Sequence, residues 1–230
     1  MIISYSRKFI FLKTRKTAGS SIQMALSEVC GHDDIVVGDD ISILDGKSVG
    51  RNIQRSFTRN THANLAQIRL AVSEEEWLNF FKFVFVRNPW DLVVSRYHWE
   101  KKGKQCSVSG FREWLPSYVD RDLAEPERND QFNIVQRIWE EGGGFINDLQ
   151  TPFVFAQRSK EVQFVGKYEL LAEDFNKVCK ILNIEPPTLP FLKAGFRKGQ
   201  SYHHFYDDTS KLLVKRAFIE DIENFEYIFK

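Results

Sequence analysis

A basic, hydroxyl-rich turn follows the first apolar segment of the sequence. The segment FIFL, at residues 9–12, leads into KTRKTAGSS at residues 13–21, after which apolar residues recur with helical spacing. The turn combines cations, hydroxyl groups and one glycine: Lys13, Arg15, Lys16, Thr17, Gly19, Ser20 and Ser21. A turn that opens a helix offers unpaired backbone N–H groups and the positive end of the helix dipole. We therefore expect a phosphate-like anion to bind here. The alternative is that Ser20 or Ser21 only caps the helix beside a solvated basic patch.

A second strand-like segment ends in an arginine. In FVFVRNPWDLVVSRYHW, residues 83–99, Arg87 follows the apolar run and Ser95 lies about two helical turns further on. An arginine and a serine from adjacent segments could together bind a second phosphate. The alternative is that Arg87 pairs with Asp91 and that Ser95 is an ordinary helix serine.

Both anion-binding segments follow apolar runs that are typical of parallel strands. Residues 9–12 and 81–86 are apolar almost throughout, as in strands that are covered on both faces. A helical pattern follows each run, with Asn88 as the expected cap and Pro89 as the expected first residue of the second helix. The predicted fold is a three-layer α/β domain with helices on both faces of a central parallel sheet. That sheet is predicted to include three segments: residues 9–13, 82–87 and 162–167.

Further helices are predicted from periodicity and from capping residues. They are FREWLPSYV (111–119), NDQFNIVQRIWEE (129–141), LLAEDFNKVCKILN (170–183) and DDTSKLLVKRAFIEDIENF (207–225). Residues 31–60 carry glycine and aspartate without clear periodicity, so we expect mostly loop there, with a short strand.

Length, composition and charge bound the remaining possibilities. A chain of 230 residues, 43% of them hydrophobic, can bury one substantial core, so a single domain spanning residues 1–230 is expected. The net charge of +1 gives no overall attraction for nucleic acid or a membrane surface. No run approaches the ~20 apolar residues of a membrane span, and the three cysteines lack metal-ligand spacing. A soluble, cytoplasmic protein is expected, with the trimmed luminal domain of a membrane-anchored enzyme as the alternative.

Taken together, the two motifs resemble a family of sulfotransferases that use 3'-phosphoadenosine 5'-phosphosulfate (PAPS), namely the carbohydrate sulfotransferases of the Golgi type and their bacterial relatives. KTRKTAGSSI resembles that family's PKTAGTS loop for the 5'-phosphosulfate, and FVRNPWDLVVSRY resembles its RNPxxRxxSxY element for the 3'-phosphate. The similarity covers most of the chain outside residues 31–58 and 100–160. Two positions depart from the pattern, because Arg15 stands where the family usually has proline and Leu92 stands where it has a second arginine.

The resemblance implies a P-loop-like α/β fold and a metal-independent transfer of a sulfuryl group from PAPS. The acceptor would be a hydroxyl group, or less favourably an amine, of a glycan or small molecule, with no nucleic acid partner and no stable membrane insertion. Lys16 would contact the bridging oxygen as the catalytic lysine. Residues implied in binding PAPS are Arg15, Lys16, Thr17, Ala18, Gly19, Ser20, Ser21, Arg87, Ser95, Tyr168, Arg197 and Lys198. Tyr168 would meet the adenine, unless it is only a core residue. Arg197 and Lys198 would lie in a basic loop over the 3'-phosphate, unless FRKG is only a surface turn.

An acceptor hydroxyl loses its proton as it attacks, which calls for a base within hydrogen-bond reach. The resemblance places His62, in THANLAQIR, on the acceptor side as that base. A lone histidine is often structural, which is the alternative for His62. His98, His203 and His204 are weaker candidates, since the first lies within a predicted helix and the others in a late loop.

Two other functions remain open from the sequence. A P-loop-like nucleotide kinase or ATPase is disfavoured because the spacing GxxxxGK[ST] is absent. A non-catalytic nucleotide-binding protein on the same scaffold is disfavoured because it would have no use for an acceptor-side base such as His62.

Overall fold

A five-stranded mixed sheet organises the part of the chain that the computed structural model describes, namely residues 1–37, 43–44, 47–48, 68, 71–124, 162–190, 197 and 199–230. Its strands, in chain order, are β1 (Ile2–Ser4), β2 (Phe9–Leu12), β3 (Ile35–Val36), β6 (Phe81–Val86) and β7 (Phe164–Lys167). In space the order is β3, β1, β2, β6, β7. A separate hairpin pairs β4 (Ile43–Leu44) with β5 (Lys47–Ser48).

The three predicted parallel strands are confirmed and lie side by side. β2 pairs with β6 in parallel, with Leu12 opposite Val84, and β6 pairs with β7 in parallel, with Val86 opposite Lys167. The carboxyl ends of these strands therefore meet at one edge of the sheet, where α/β proteins bind their ligands.

The sheet as a whole is not parallel, which corrects the prediction of a purely parallel sheet. β1 runs antiparallel to β2 and to β3. β1 was not predicted because its apolar run is short and ends at Ser4, yet Ile2 and Ile3 are completely buried. The short hairpin connection brings β1 back against β2, so the antiparallel pair extends the sheet on the side away from β6.

Seven α-helices accompany these strands in the described residues. They are α1 (Gly19–Ser27), α2 (Glu74–Asn79), α3 (Pro89–Glu100), α4 (Val108–Ala124), α5 (Leu171–Ile181), α6 (Asp208–Ala217) and α7 (Ile219–Asn224). Pro89 is the first residue of α3 and the Asn88 side chain caps it, accepting from Trp90 N at 3.1 Å, as predicted. The single last helix that we predicted is two helices, because Phe218 leaves helical geometry at φ −120°. The predicted helix at 129–141 lies outside the described residues.

Apolar side chains on both faces of the sheet contact helices. Phe9, Phe11, Phe83 and Phe85 share a buried cluster with residues of α1 and α5. The alternating residues of the same strands, including Leu12 and Val84, pack on the other face in a cluster that contains Trp77 of α2. Within the described residues, no helix has the length and apolar character needed to cross a membrane.

Candidate functional site

The turn between β2 and α1 is fastened to the neighbouring strand by threonine hydroxyls. Thr14 Oγ1 donates to the carbonyl oxygen of Phe85 at 2.6 Å and lies 2.6 Å from Thr17 Oγ1. Since the one hydroxyl proton of Thr14 goes to Phe85, Thr17 must donate within the turn. The Thr17 hydroxyl, which is buried, therefore holds the turn together. A ligand would contact the backbone N–H of Thr17 rather than its side chain.

Two residues of this turn adopt left-handed backbone conformations. Lys16 has φ 63° and Ala18 has φ 61°. For residues other than glycine this conformation costs roughly 1–2 kcal/mol. Conformations of this kind cluster at ligand-binding sites, where the surrounding contacts hold them in place. Both strained residues, Lys16 and Ala18, are among those predicted to bind PAPS.

Gly19 is required by a close approach between the turn and the start of α1. A Cβ atom at Gly19 would lie 2.8 Å from Lys13 Cγ and 3.1 Å from the carbonyl oxygen of Thr14. The glycine therefore lets the stem of Lys13 and the backbone of the turn pack against the first turn of the helix. Gly19 thus has a packing role within the predicted anion-binding turn.

The N-terminus of α1 has no side-chain cap. Its N-cap residue is Ala18, whose methyl group accepts no hydrogen bond, and its first turn contains no acidic residue. The alternative that Ser20 or Ser21 merely caps this helix is therefore wrong. By contrast, α2, α3 and α6 are capped by the side chains of Ser73, Asn88 and Asp207. The first N–H groups of α1 thus remain suited to an anionic acceptor.

Arg87, at the end of β6, joins the two predicted motifs. Its Nη1 donates to the carbonyl oxygen of Lys16 at 2.8 Å, and its Nε donates to Asp91 Oδ2 at 2.7 Å. The guanidinium carbon lies 3.9 Å from the centre of the Tyr168 ring. Arg87 is buried, so backbone, carboxylate and aromatic contacts together fix its orientation. The Arg87–Asp91 pair that we kept as an alternative is present, and it coexists with the contact to Lys16.

Asp91 also contacts Arg197, one of the two late basic residues that were predicted to bind the 3'-phosphate. The other, Lys198, lies outside the described residues. Arg197 Nη1 donates to Asp91 Oδ1, while Arg197 Nε donates to the carbonyl oxygen of Gln200. Burial by itself would raise the pKa of Asp91, but the positive charges of Arg87 and Arg197 outweigh it and lower that pKa below its ordinary value. Asp91 is consequently ionised at neutral pH and holds both cations.

The side chain of Lys16 extends along α3. Its Nζ lies 4.5 Å from the centre of the Trp99 ring, a cation–π contact. Asp91, Ser95 and Trp99 follow one another at four-residue spacing, so they share one side of α3. The Lys16 backbone contacts Arg87, just before α3, and its side chain contacts Trp99 near the end of α3. Lys16 therefore lies on the side of the helix that carries Ser95. Ser95 itself is partly exposed there.

Other predicted residues lie elsewhere or outside the description. Arg15 and Ser20 are partly exposed on the turn and on α1. His62 and Lys198 lie outside the described residues. His98 is buried edge-on against Phe205, as a core histidine would be.

His203 and His204 are exposed in the 3-10 helix Tyr202–Phe205. His203 Nδ1 lies 2.7 Å from Ser201 Oγ, and its ring packs against Tyr202. These local contacts give His203 a place in the turn that leads into α6.

Three residues of this region were missed or undervalued in the sequence. Asp91 was considered only as a partner of Arg87, Trp99 was not predicted to contact Lys16, and Glu169 was not considered. Glu169 accepts from Asn88 N at 2.7 Å and from the Tyr227 hydroxyl at 3.2 Å, which ties β7 to the start of α3. The four-residue spacing of Asp91, Ser95 and Trp99 indicates that they share one side of a helix, but no sequence pattern indicated Glu169.

Comparison with known proteins is consistent with this geometry. A family model described as the sulfotransferase family matches residues 1–228. An uncharacterised protein of Archaeoglobus fulgidus is 29% identical over 118 residues, which is 51% of this chain and 79% of that protein. No solved structure gives a significant match.

Proposed function

Because the chain belongs to the sulfotransferase family, we propose that it transfers a sulfuryl group from PAPS to a hydroxyl group of an acceptor. Carbohydrates are the favoured acceptor class, and an amine is the less favoured acceptor group. The observation that carries this proposal is the hydrogen bond from Arg87 to the carbonyl oxygen of Lys16. It joins the two predicted phosphate-binding motifs at the carboxyl ends of neighbouring parallel strands, which supports the proposal that one ligand with two anionic groups contacts both.

The 5' end of the ligand is proposed to bind at the start of α1. Its phosphate oxygens would accept from backbone N–H groups of residues 17–21, at a helix start where the N-cap residue, Ala18, supplies no side-chain cap. The hydroxyl groups of Ser20 and Ser21 and the charge of Arg15 would add to this attraction. Gly19 keeps the turn close to the start of the helix.

Lys16 is proposed as the catalytic residue. In the transfer, the acceptor oxygen forms a new bond to sulfur while the bond from sulfur to the bridging oxygen breaks, and adenosine 3',5'-bisphosphate leaves. Negative charge grows on the leaving oxygen, and a cation aimed at it stabilises the transition state more than the ground state. His62 is proposed to take the proton that the acceptor hydroxyl loses.

The 3'-phosphate is proposed to bind at the start of α3. Arg87, Ser95 and the late basic residues Arg197 and Lys198 would supply charge-assisted hydrogen bonds. One face of the Tyr168 ring is occupied by Arg87. The adenine would therefore have to meet the opposite face or the edge of that ring.

A nucleotide kinase on the same scaffold is the second candidate. ATP has no 3'-phosphate, so a kinase would give Arg87 and Ser95 no ligand group of this kind to bind. A non-catalytic binding protein is the third candidate, and only activity separates it from the first.

The direct test is incubation of the protein with PAPS carrying labelled sulfate and a panel of glycans, lipids and small alcohols. Transfer of label to an acceptor, lost in Lys16→Ala, is the expected result. Absence of transfer to every acceptor class, in protein that binds adenosine 3',5'-bisphosphate, would favour the binding protein.

A further inference from the structure

Asp91 connects two arginines that come from segments far apart in the sequence. Its Oδ2 accepts from Arg87 Nε at 2.7 Å and lies 2.6 Å from Arg87 Nη2, and its Oδ1 accepts from Arg197 Nη1. The side chains of Arg87, Asp91 and Arg197 are 8%, 13% and 19% exposed. This is a sheltered cluster of two positive charges and one negative charge, unlike the exposed pairs that contribute little.

Arg197 depends on Asp91 for its position. Its hydrogen-bond partners among the described residues are Asp91 and the carbonyl oxygen of Gln200, which lies only three residues away in the same segment. Asp91 is therefore the contact that fixes Arg197 to the body of the domain, beside Arg87. The Nη2 group of Arg197 makes no hydrogen bond with any described residue, so it can donate to a ligand.

Leu92, the residue after Asp91, explains why the second cation comes from another segment. Leu92 is buried in the core beneath α3, so this helix supplies no second cation at the residue after Asp91. Two guanidinium groups placed side by side repel each other, and a carboxylate between them offsets this repulsion. Asp91 supplies this carboxylate and leaves the cluster with a net positive charge.

We propose that Asp91 is a positioning residue that holds Arg197 beside Arg87, so that the two arginines bind the 3'-phosphate of the ligand together. This inference rests on the proposed function, since it concerns the same ligand. The proposal predicts an unusual effect of a negative charge on affinity. A carboxylate near an anion site ordinarily weakens anion binding by repulsion, whereas Asp91 strengthens it because it orients two cations.

Calorimetry with two ligands tests whether Asp91 strengthens or weakens binding. Adenosine 3',5'-bisphosphate and adenosine 5'-phosphate are titrated into the wild type and into Asp91→Asn, Asp91→Glu and Arg197→Ala. We expect Asp91→Asn and Arg197→Ala each to lower the affinity for the bisphosphate roughly tenfold or more, as when a charge-assisted hydrogen bond is lost. Binding of the 5'-phosphate should change less than about twofold, because that end contacts α1, and Asp91→Glu should recover part of the loss.

A double variant and a charge control complete the experiment. Asp91→Asn with Arg197→Ala should weaken bisphosphate binding by less than the sum of the two single effects, since both changes remove the contact between these residues. Asp208→Asn removes the same charge from an exposed pair with Lys211 and should leave binding unchanged.

Equal or tighter bisphosphate binding by Asp91→Asn would show that Asp91 is only a nearby negative charge, and would overturn the inference alone. If Asp91→Asn does not fold, unchanged binding by Arg197→Ala overturns it equally. A wild type that binds the bisphosphate no better than the 5'-phosphate would overturn the proposed function and this inference with it.

Discussion

The two strand-turn-helix units of this protein share a topology but present different groups to a ligand. β2 leads into α1 through a turn with two left-handed residues, and α1 begins at Gly19 without a side-chain cap. β6 leads into α3 through two residues, and Asn88 caps that helix with Pro89 as its first residue. The first unit therefore offers backbone N–H groups, while the second caps its helix with its own Asn88 and offers the side chain of Arg87 instead.

This difference predicts which substitutions each unit tolerates. A site built from backbone N–H groups survives changes of exposed side chains but is sensitive to anything that moves the backbone, such as a Cβ at Gly19. A site built from the side chain of Arg87 should lose affinity when that side chain is removed. Lys16 belongs to both units, since its backbone binds Arg87 and its side chain contacts Trp99.

The largest expected effect is on the rate of transfer. Lys16→Ala should lower the rate about a thousandfold or more, because the lysine acts on charge that develops in the transition state. Affinity for adenosine 3',5'-bisphosphate should fall only a few-fold. Lys8→Ala is a matched control, since Lys8 is also a lysine with left-handed backbone, at φ 56°, but is exposed outside the site. Equal losses in rate for both variants would remove Lys16 from its proposed role.

Arg87→Ala and Ser95→Ala should weaken bisphosphate binding by about 1.5–3 kcal/mol each, the range for a lost hydrogen bond to a charged group. Calorimetry measures this, and the thermal midpoint shows whether each variant is folded. Arg112→Ala serves as the control, because Arg112 pairs with Asp207 in a half-exposed position. If Arg87→Ala and Ser95→Ala both bind as the wild type does, the 3'-phosphate assignment fails.

Gly19→Ala should lower the free energy of unfolding by about 1–3 kcal/mol, as overpacking does. The added methyl group meets a carbonyl oxygen of the backbone at 3.1 Å, so relief requires movement of the turn. Binding of adenosine 5'-phosphate should weaken in parallel. Denaturant unfolding and calorimetry on one preparation test both effects, and full stability together with full binding would show that the turn tolerates a Cβ.

The smallest expected effect concerns the cap of α3. Asn88→Ala should lower the free energy of unfolding by about 1 kcal/mol, the usual cost of removing such a cap. Bisphosphate binding should change less than in Arg87→Ala, because the first N–H groups of α3 are not proposed to contact the ligand. An affinity loss as large as that of Arg87→Ala would mean that the two units bind the ligand in the same way.

The sequence predicted those features that local patterns control. Continuous apolar runs identified β2 and β6, residues 162–167 were predicted as a third strand that contains β7, and Asn88 and Pro89 marked the start of α3. Features that depend on distant contacts were not accessible. β1 is stable only because its neighbours bury Ile2 and Ile3, and the break at Phe218 follows no glycine or proline.

The site shows the same division between local and distant information. The residue types and spacing indicated Lys16 and Arg87, but not that Arg87 would donate to the backbone of Lys16 across 71 positions of sequence. The contact of Arg197 with Asp91 joins residues even further apart and has no counterpart in local periodicity. Such contacts depend on which strands become neighbours, and a single sequence does not display that order.

The two strand-turn-helix units are proposed to bind one ligand together, with a phosphate at each end. A thermal-shift comparison in EDTA of adenosine 3',5'-bisphosphate, adenosine 5'-phosphate and ATP at equal concentration, with a further ATP series in magnesium, tests this claim. A ligand selective for the folded state raises the melting temperature according to its affinity. We predict that the bisphosphate gives the largest rise and that ATP gives little, even with magnesium. Stabilisation by magnesium-ATP, with none by the bisphosphate, would contradict the claim and favour a kinase.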